Sequence, residues 1–299
     1  MNFQFTEDQL AFRDSFKGFL EEACPTSVVR AAWQTRPDEL WGQLAEMGLL
    51  AVELPESLGG LEMQPVDMVL LWEESGYAAL PVPFLDATVL APLLPDALAE
   101  AVGSGEKRVA LGARGWDADC AHAVVVGDQL STDFSAAPRR SVDGARRLFD
   151  VTVNDAQTIR DPANRAALAA SAQLLGLGRR MLDIAVDYGK VRRQFGKPIG
   201  SFQAVQNHLA DALLQLEFAA PLVYQAAATM KPLHIHMAKA AANEAAHVAG
   251  RKALQCHGAI GYCIEHDLHL FLKRSWALER SFGSAAWHLE HVAVEILDA

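Results

Sequence analysis

Two adjacent guanidinium groups, Arg192 and Arg193, stand where a long apolar-striped stretch gives out, and Gly196 follows them. Arginine presents a planar fork of donors that matches phosphate oxygens, and glycine lets the backbone pass close to a ligand. A diphosphate group suits such a site. The same residues have a plainer use, because cations at a helix C-terminus offset its dipole while facing solvent. Residue type alone does not separate the two. Three histidine pairs, His234 with His236, His266 with His269 and His288 with His291, raise the question of a metal. None belongs to a set of three or four ligands at a recognisable spacing, so no metal site is expected. The glycines of GLG at 176–178 lie inside a helical stretch with no strand before them. That removes the dinucleotide-binding reading and leaves close helix packing.

These groups need a helical frame, and the chain supplies one. Asp161 and Pro162 read as the N-cap and first residue of an Ala- and Leu-rich helix reaching about Tyr188. Further helical stretches at 204–230, 234–257 and 265–297, the last broken near Gly283, predict a C-terminal four-helix bundle over 158–299. Before it, VALGA, AHAVVV and RLFDVTV are short β-branched runs between turn formers. They predict a reduced antiparallel β domain of about four strands over 105–157. The first 104 residues form an N-terminal helical domain. Thr6 and Gln9 make a capping box ahead of Leu10, Phe12, Phe16, Phe19 and Leu20. A second helix runs from Pro37 through Leu44 to Gly48, and a third from Val66 to Tyr77, after which Pro81, Pro83, Pro92 and Pro95 mark short helical turns. The fold class is therefore mainly α.

Composition narrows the partners. Half of the 299 residues are hydrophobic, enough for a sizeable core. With 26 Lys and Arg against 37 Asp and Glu, the formal charge of −11 repels nucleic acid and anionic membranes. No apolar run reaches the roughly 18 residues of a membrane span, and the N-terminal segment carries acids where a signal peptide has bases, so a cytoplasmic location is expected. The four cysteines include no CxxC pair and are expected to be free thiols.

The segment YGKVRRQFGKPIGSFQAVQNHLAD at 188–211 resembles the signature of acyl-CoA dehydrogenases, in which a tyrosine, an arginine, an FG turn, an isoleucine and FQ recur in this order. LQCHGAIGYCIEHDL at 254–268 resembles the family's glutamine, paired-glycine, GY and acidic segment. EDQLAFRDSFKGFL, LWGQLAEMGLLAVELPESLGG and WEESGY are similar to its N-terminal helices. The resemblance implies FAD as cofactor and an acyl-CoA thioester as substrate. It assigns Arg192, Phe195 and Gln203 to the pyrophosphate and adenosine half of an FAD bound mainly by a neighbouring subunit, and Gln255 and the Gly258–Gly261 turn to a second contact with it. Ala259 stands where the family has its second glycine, and its Cβ would clash if the backbone there needed a positive φ.

The family's desaturation needs a carboxylate base beside the flavin. In most members it lies in an EGT-like segment, but SFGSAA occupies that stretch here, with Gly283 near the glutamate's place. A minority of members carry it eleven residues before the motif glutamine, where this chain has Glu244. Ala240, Ala241, Ala242, Ala245 and Ala246 around it are expected to leave room for an acyl chain and to give the carboxylate apolar surroundings that raise its pKa. Glu279 and Glu265 are weaker candidates. The TEP and WIT-type segments that relatives use around the flavin ring are not found in the short middle region. The resemblance therefore implies a subunit completing the FAD site of a full-length relative in a hetero-oligomer. The alternatives are a self-sufficient homo-oligomer using Glu244 and a non-catalytic structural partner.

Overall fold

The computed structural model describes residues 4–297. Helix α1 (Glu7–Ala23) starts on its capping box: Gln9 N–H donates to Thr6 Oγ1 at 3.2 Å and Thr6 N–H to Gln9 Oε1 at 2.8 Å. The other N-terminal helices are α2 (Thr26–Ala31), α3 (Asp38–Glu46), α4 (Pro65–Tyr77), α5 (Phe84–Leu90) and α6 (Asp96–Gly103). Pro83 and Pro95 stand at the N-caps of α5 and α6, where a missing N–H costs nothing. Helix α2 has six residues and buries only Val29, so it leaves no periodic trace in the sequence.

Five strands follow: β1 (Val109–Leu111), β2 (Arg114–Trp116), β3 (Ala123–Val126), β4 (Gln129–Arg139) and β5 (Leu148–Thr158). They lie in the order β1-β3-β4-β5-β2. Two expectations need correction, since there are five strands rather than about four, and β1 and β3 pair in parallel, with Val109 opposite Ala123. The cause is the route of the chain. Only Gly112 and Ala113 separate β1 from β2, which pairs with β5, so the sheet curls and its two edge strands lie close together; the chain then returns through residues 117–122 to set β3 beside β1, a crossover that permits parallel pairing where a hairpin would not.

Buried charges tie this sheet to the helices. Arg146, in the β4–β5 connection, pairs with Asp117 after β2 and with Asp86 of α5, and donates to Val82 O at 3.2 Å. Asp143 of the same connection meets Arg274, whose Nη1 donates to Leu80 O at 3.0 Å. Buried ions persist only when paired and hydrogen-bonded, so these contacts fix where the sheet sits.

The C-terminal helices are α7 (Ala163–Val191), α8 (Gln203–Thr229), α9 (Pro232–His257), α10 (Leu268–Glu279) and α11 (Ala285–Leu297). Asp161 accepts from Ala163 N–H at 2.9 Å, but Pro162 is the N-cap, one residue later than expected. Helix α9 packs on α7, α8 and α11, and α7 also packs on α4. The GLG glycines serve the packing expected of them: a Cβ on Gly176 would stand 1.9 Å from Glu73 O of α4, and one on Gly178 2.5 Å from Leu216 Cδ2 of α8. The break between α10 and α11 comes from left-handed backbone at Phe282 (φ 56°) and Gly283 (φ 96°). All four cysteines are unpaired, and no helix among the described residues is long and apolar enough to cross a membrane.

Candidate functional site

Helix α7 ends with Val191, and Arg192 leaves it in an extended conformation, its N–H donating to Tyr188 O at 2.8 Å. A miniature hairpin follows, β6 (Arg193–Gln194) against β7 (Lys197–Pro198), closed through positive φ at Phe195 (49°) and Gly196 (81°). Two left-handed residues in succession suit a tight hairpin turn. The turn projects Phe195, 91% exposed, into solvent. Arg193 folds back, donating from Nη2 to Gly196 O at 2.9 Å. Arg192 is exposed, and its guanidinium makes no hydrogen bond or ion pair with any described residue. Gln203, the first residue of α8, is also exposed.

The second motif closes α9. Gly258 turns the chain at φ 64° and ψ −141°, a conformation that side chains resist. Ala259 lies beyond that turn and is not among the left-handed residues, so its methyl group brings no backbone strain. Gln255 and Gly258 line a crevice of about 650 Å³ with Arg251, Lys252, His208 and Tyr262. Lys252 Nζ is held 3.0 Å from Asp211 Oδ2 and 3.1 Å from His208 Nδ1, while Arg251 has no side-chain partner among the described residues. Cations and an amide around an open glycine turn suit the phosphates and polar edges of a nucleotide tail.

Tyr188 of α7 stacks on His257 of α9 with ring centroids 4.4 Å apart, which brings the two motifs to one end of the bundle. They do not close on one space within a single chain, because Arg192, Phe195 and Gln203 are absent from the walls of the Gln255 crevice.

The base candidates differ in setting. Glu244 is exposed on α9, while Ala242, Ala245 and Ala246 turn inward and are buried against neighbouring helices. The apolar enclosure expected of those alanines is therefore not supplied to Glu244 by this chain: they pack the opposite face of the helix. Glu279 is half-buried between Ser275 Oγ at 2.9 Å and His247 Nδ1 at 3.3 Å, and burial pushes its carboxyl up. Glu265 is exposed. Position 283 is committed to glycine, since a Cβ there would stand 2.5 Å from His288 Nε2.

Sequence reasoning missed Lys239. It is fully buried, donates from Nζ to Asn243 Oδ1 at 2.7 Å and to Gly283 O at 3.2 Å, and burial pulls its ammonium down to about 7. Its place on the buried stripe of α9 with Ile235 and Ala242 was the available signal. Also missed was the contact of His236 Nδ1 with His288 Nδ1 at 2.8 Å, which joins two of the histidine pairs. Among the described residues no group of three or more His, Cys, Asp or Glu is arranged to hold a metal.

The family described as acyl-CoA dehydrogenase, N-terminal domain, matches residues 6–95, and that described as acyl-CoA dehydrogenase, C-terminal domain, matches residues 145–297. The chain is 33% identical over 294 residues to the acyl-CoA dehydrogenase IpdE2 of Mycobacterium tuberculosis, covering 90% of this chain and 91% of that protein. It is 30% identical over 315 residues to IpdE2 of Mycolicibacterium smegmatis, covering 97% and 99%. Among solved structures, a Tcur3481–Tcur3483 steroid ACAD variant superposes with a TM-score of 0.90 at 21% identity, covering 98% of each chain. The ChsE4–ChsE5 complex of Mycobacterium tuberculosis gives 0.87 at 21% identity, covering 100% of each. At that identity the likeness is one of fold.

Proposed function

This chain belongs to the acyl-CoA dehydrogenase family, whose members are FAD-dependent oxidoreductases acting on acyl-CoA thioesters, and from that premise we propose that it is one subunit of a hetero-oligomer, completing the FAD site of a full-length relative. FAD, when bound, supplies the acceptor for the hydride that leaves the β-carbon. This chain's residues hold its tail and handle a proton. Arg192 offers a free guanidinium to the diphosphate, and Gln255 and the backbone at Gly258 meet the adenosine end, with Phe195 and Gln203 at the rim and Ala259 beside the turn. Glu244 takes the α-proton at its carboxylate oxygen once a partner covers the exposed face of α9, which would exclude water and turn a solvated acid into an effective base.

The observation that carries the reading is the exposed, unpaired Arg192 at the same bundle end as the Gln255 crevice, with the two facing separate spaces. Donors directed outward in this way suit a cofactor held between chains. Two solved structures of this fold bear paired names, the Tcur3481–Tcur3483 protein and the ChsE4–ChsE5 complex, which gives the heteromeric arrangement a precedent.

The test is to purify the chain alone and with a co-expressed full-length relative, and to record the flavin spectrum and acyl-CoA oxidation. The expected result is flavin and activity only in the mixed assembly, weakened flavin retention with Arg192→Ala, and retained flavin without reduction by substrate for Glu244→Gln. Stoichiometric FAD and full turnover by the isolated chain would overturn the proposal.

A further inference from the structure

A pocket of about 280 Å³ lies between α1, α4, α7 and α10. Its walls include no residue of the sheet, of the α10–α11 turn or of the two motif segments, and Glu244 is not among them. The space is therefore separate from the cofactor tail and from every base position discussed above. It falls just below the roughly 300–1,000 Å³ of ordinary ligand pockets, so only a small molecule fits.

Three features give the space a chemistry. The first is a cation without a counterion. Arg180 of α7 is half-buried, its guanidinium 5.2 Å from the Tyr77 ring centroid and 5.5 Å from that of Phe271. The two rings hold the charge by their faces. Arg180 forms no ion pair with any described residue, and its hydrogen bond to Tyr77 Oη is long, at 3.4 Å. That hydroxyl is itself committed as a donor to Asp183 Oδ2 at 2.8 Å. Most of the guanidinium N–H groups thus have no acceptor.

The second is an anion in the same position. Glu74 of α4 is half-buried and makes no hydrogen bond or ion pair with any described residue. Burial pushes its carboxyl up, while the Lys17 ammonium at the pocket wall pulls it down without reaching ion-pair distance. Glu74 stands one turn before Tyr77 on α4, and Arg180 lies against the Tyr77 ring, so the two charges face one space. They do not meet across it, although partly buried charges are stabilised by pairing. The third feature is an apolar floor of Leu20, Phe271 and Ala78, with Cys24, whose thiol burial pushes up to about 12 and so keeps neutral.

We propose that this pocket binds a small zwitterion, a free amino acid with an apolar side chain, bridging Arg180 and Glu74. The ligand carboxylate accepts from the Arg180 guanidinium in charge-assisted hydrogen bonds. Its ammonium donates to the Glu74 carboxylate. The apolar side chain rests on Leu20 and Phe271.

Calorimetric titration of the protein, in its assembly with any co-purifying partner, tests this with three probes of similar bulk. L-leucine carries both charges, 4-methylpentanoate lacks the ammonium, and 3-methylbutylamine lacks the carboxylate. Saturable binding of L-leucine with Kd below about 1 mM is expected, with each single-charge probe at least about tenfold weaker. Glu74→Gln should erase the preference for leucine over 4-methylpentanoate, and Arg180→Gln the preference for leucine over 3-methylbutylamine. Such paired losses of selectivity would not come from general loosening of the helices. No saturation by L-leucine at about 10 mM, or either single-charge probe binding the unaltered protein as tightly as leucine, would overturn the proposal. So would selectivity that survives in both folded variants. The three-probe comparison on the unaltered protein decides the matter whatever the substitutions do to folding.

Discussion

Arg146→Met tests whether charge pairing, rather than apolar contact alone, holds the small sheet to the helices. The Arg146 side chain, 3% exposed, faces Asp117 and Asp86 at 7% and 3%, and its guanidinium lies 5.2 Å from the Trp116 ring centroid. Methionine fills similar space without a donor, so two carboxylates would remain in a poorly polar interior with no countercharge. Breaking a buried ion pair from one side costs about 3–5 kcal/mol, a large part of a typical stability of about 5–15 kcal/mol. At a urea dependence of about 3 kcal/mol/M, the unfolding midpoint should fall by about 1 M or more. The deficit should also depend on pH. Burial already pushes the Asp86 carboxyl up against the opposing pull of Arg146, and without the guanidinium it must rise further. A carboxyl raised in the folded state contributes stability that is full below its unfolded pKa and is lost as pH rises through its folded pKa. The variant should therefore be closest to the parent near about pH 4 and furthest from it at neutral pH. Urea titrations at several pH values, followed by circular dichroism, measure this. A midpoint shift under about 0.3 M at neutral pH, or a deficit that widens in acid, would refute the reasoning.

Other changes follow from individual contacts. Gly283→Glu, which puts a carboxylate near the place the family resemblance gives the usual base, should lower the melting temperature by about 5–10 °C, because it forces a side chain onto left-handed backbone beside His288; an unchanged melting curve would disprove the clash. For Lys239, whose ammonium is pulled down to about 7, stability should be lost as pH falls through that value and should rise with pH toward the ordinary 10.5. Denaturation of Lys239→Met across that window should show the slope abolished. Glu53, buried beside Arg165, has its carboxyl pushed up to about 6 by burial. Its contribution should be full below the ordinary 4.5 and lost as pH rises through about 6, a decline that Glu53→Gln should remove even if loss of the Arg165 pair lowers the whole curve.

What the sequence discloses here is what lies close in sequence. The Thr6–Gln9 capping box, the long helices and the glycine at the α9 turn are local signals, and each stands in the structure. The parallel pairing of β1 with β3 was not legible, because strand direction depends on a crossover through residues 112–122 rather than on either strand's composition. Nor was the tie between Arg146 and Asp86, sixty positions apart with no periodicity to join them. Glu244 shows the same division at the candidate site. Its spacing from Gln255 places it on α9, but which face of α9 is covered depends on what packs there. Of the five alanines around it, Ala242, Ala245 and Ala246 pack inward, while Ala240 and the half-buried Ala241 lie one turn before it on its own side of the helix.

Gly283 and Lys239 also bear on where a base can stand. The left-handed turn at 283 lets its carbonyl accept from Lys239 Nζ, and the absent Cβ admits the His288 ring. A glutamate at 283 would need that ring displaced and would stand next to the carbonyl that, with Asn243 Oδ1, accepts from the buried Lys239 ammonium. A side chain at 283, near where the family resemblance puts the usual base, is thus opposed by the His288 ring and the left-handed backbone, and on the reading proposed above proton removal falls to the exposed face of α9. An assembly containing Glu244→Gln should therefore stay inactive when Gly283→Glu is added, with flavin still bound. Recovery of substrate-dependent flavin bleaching in that double variant would show that the site at 283 can open to hold a working carboxylate, and the argument from packing would fail.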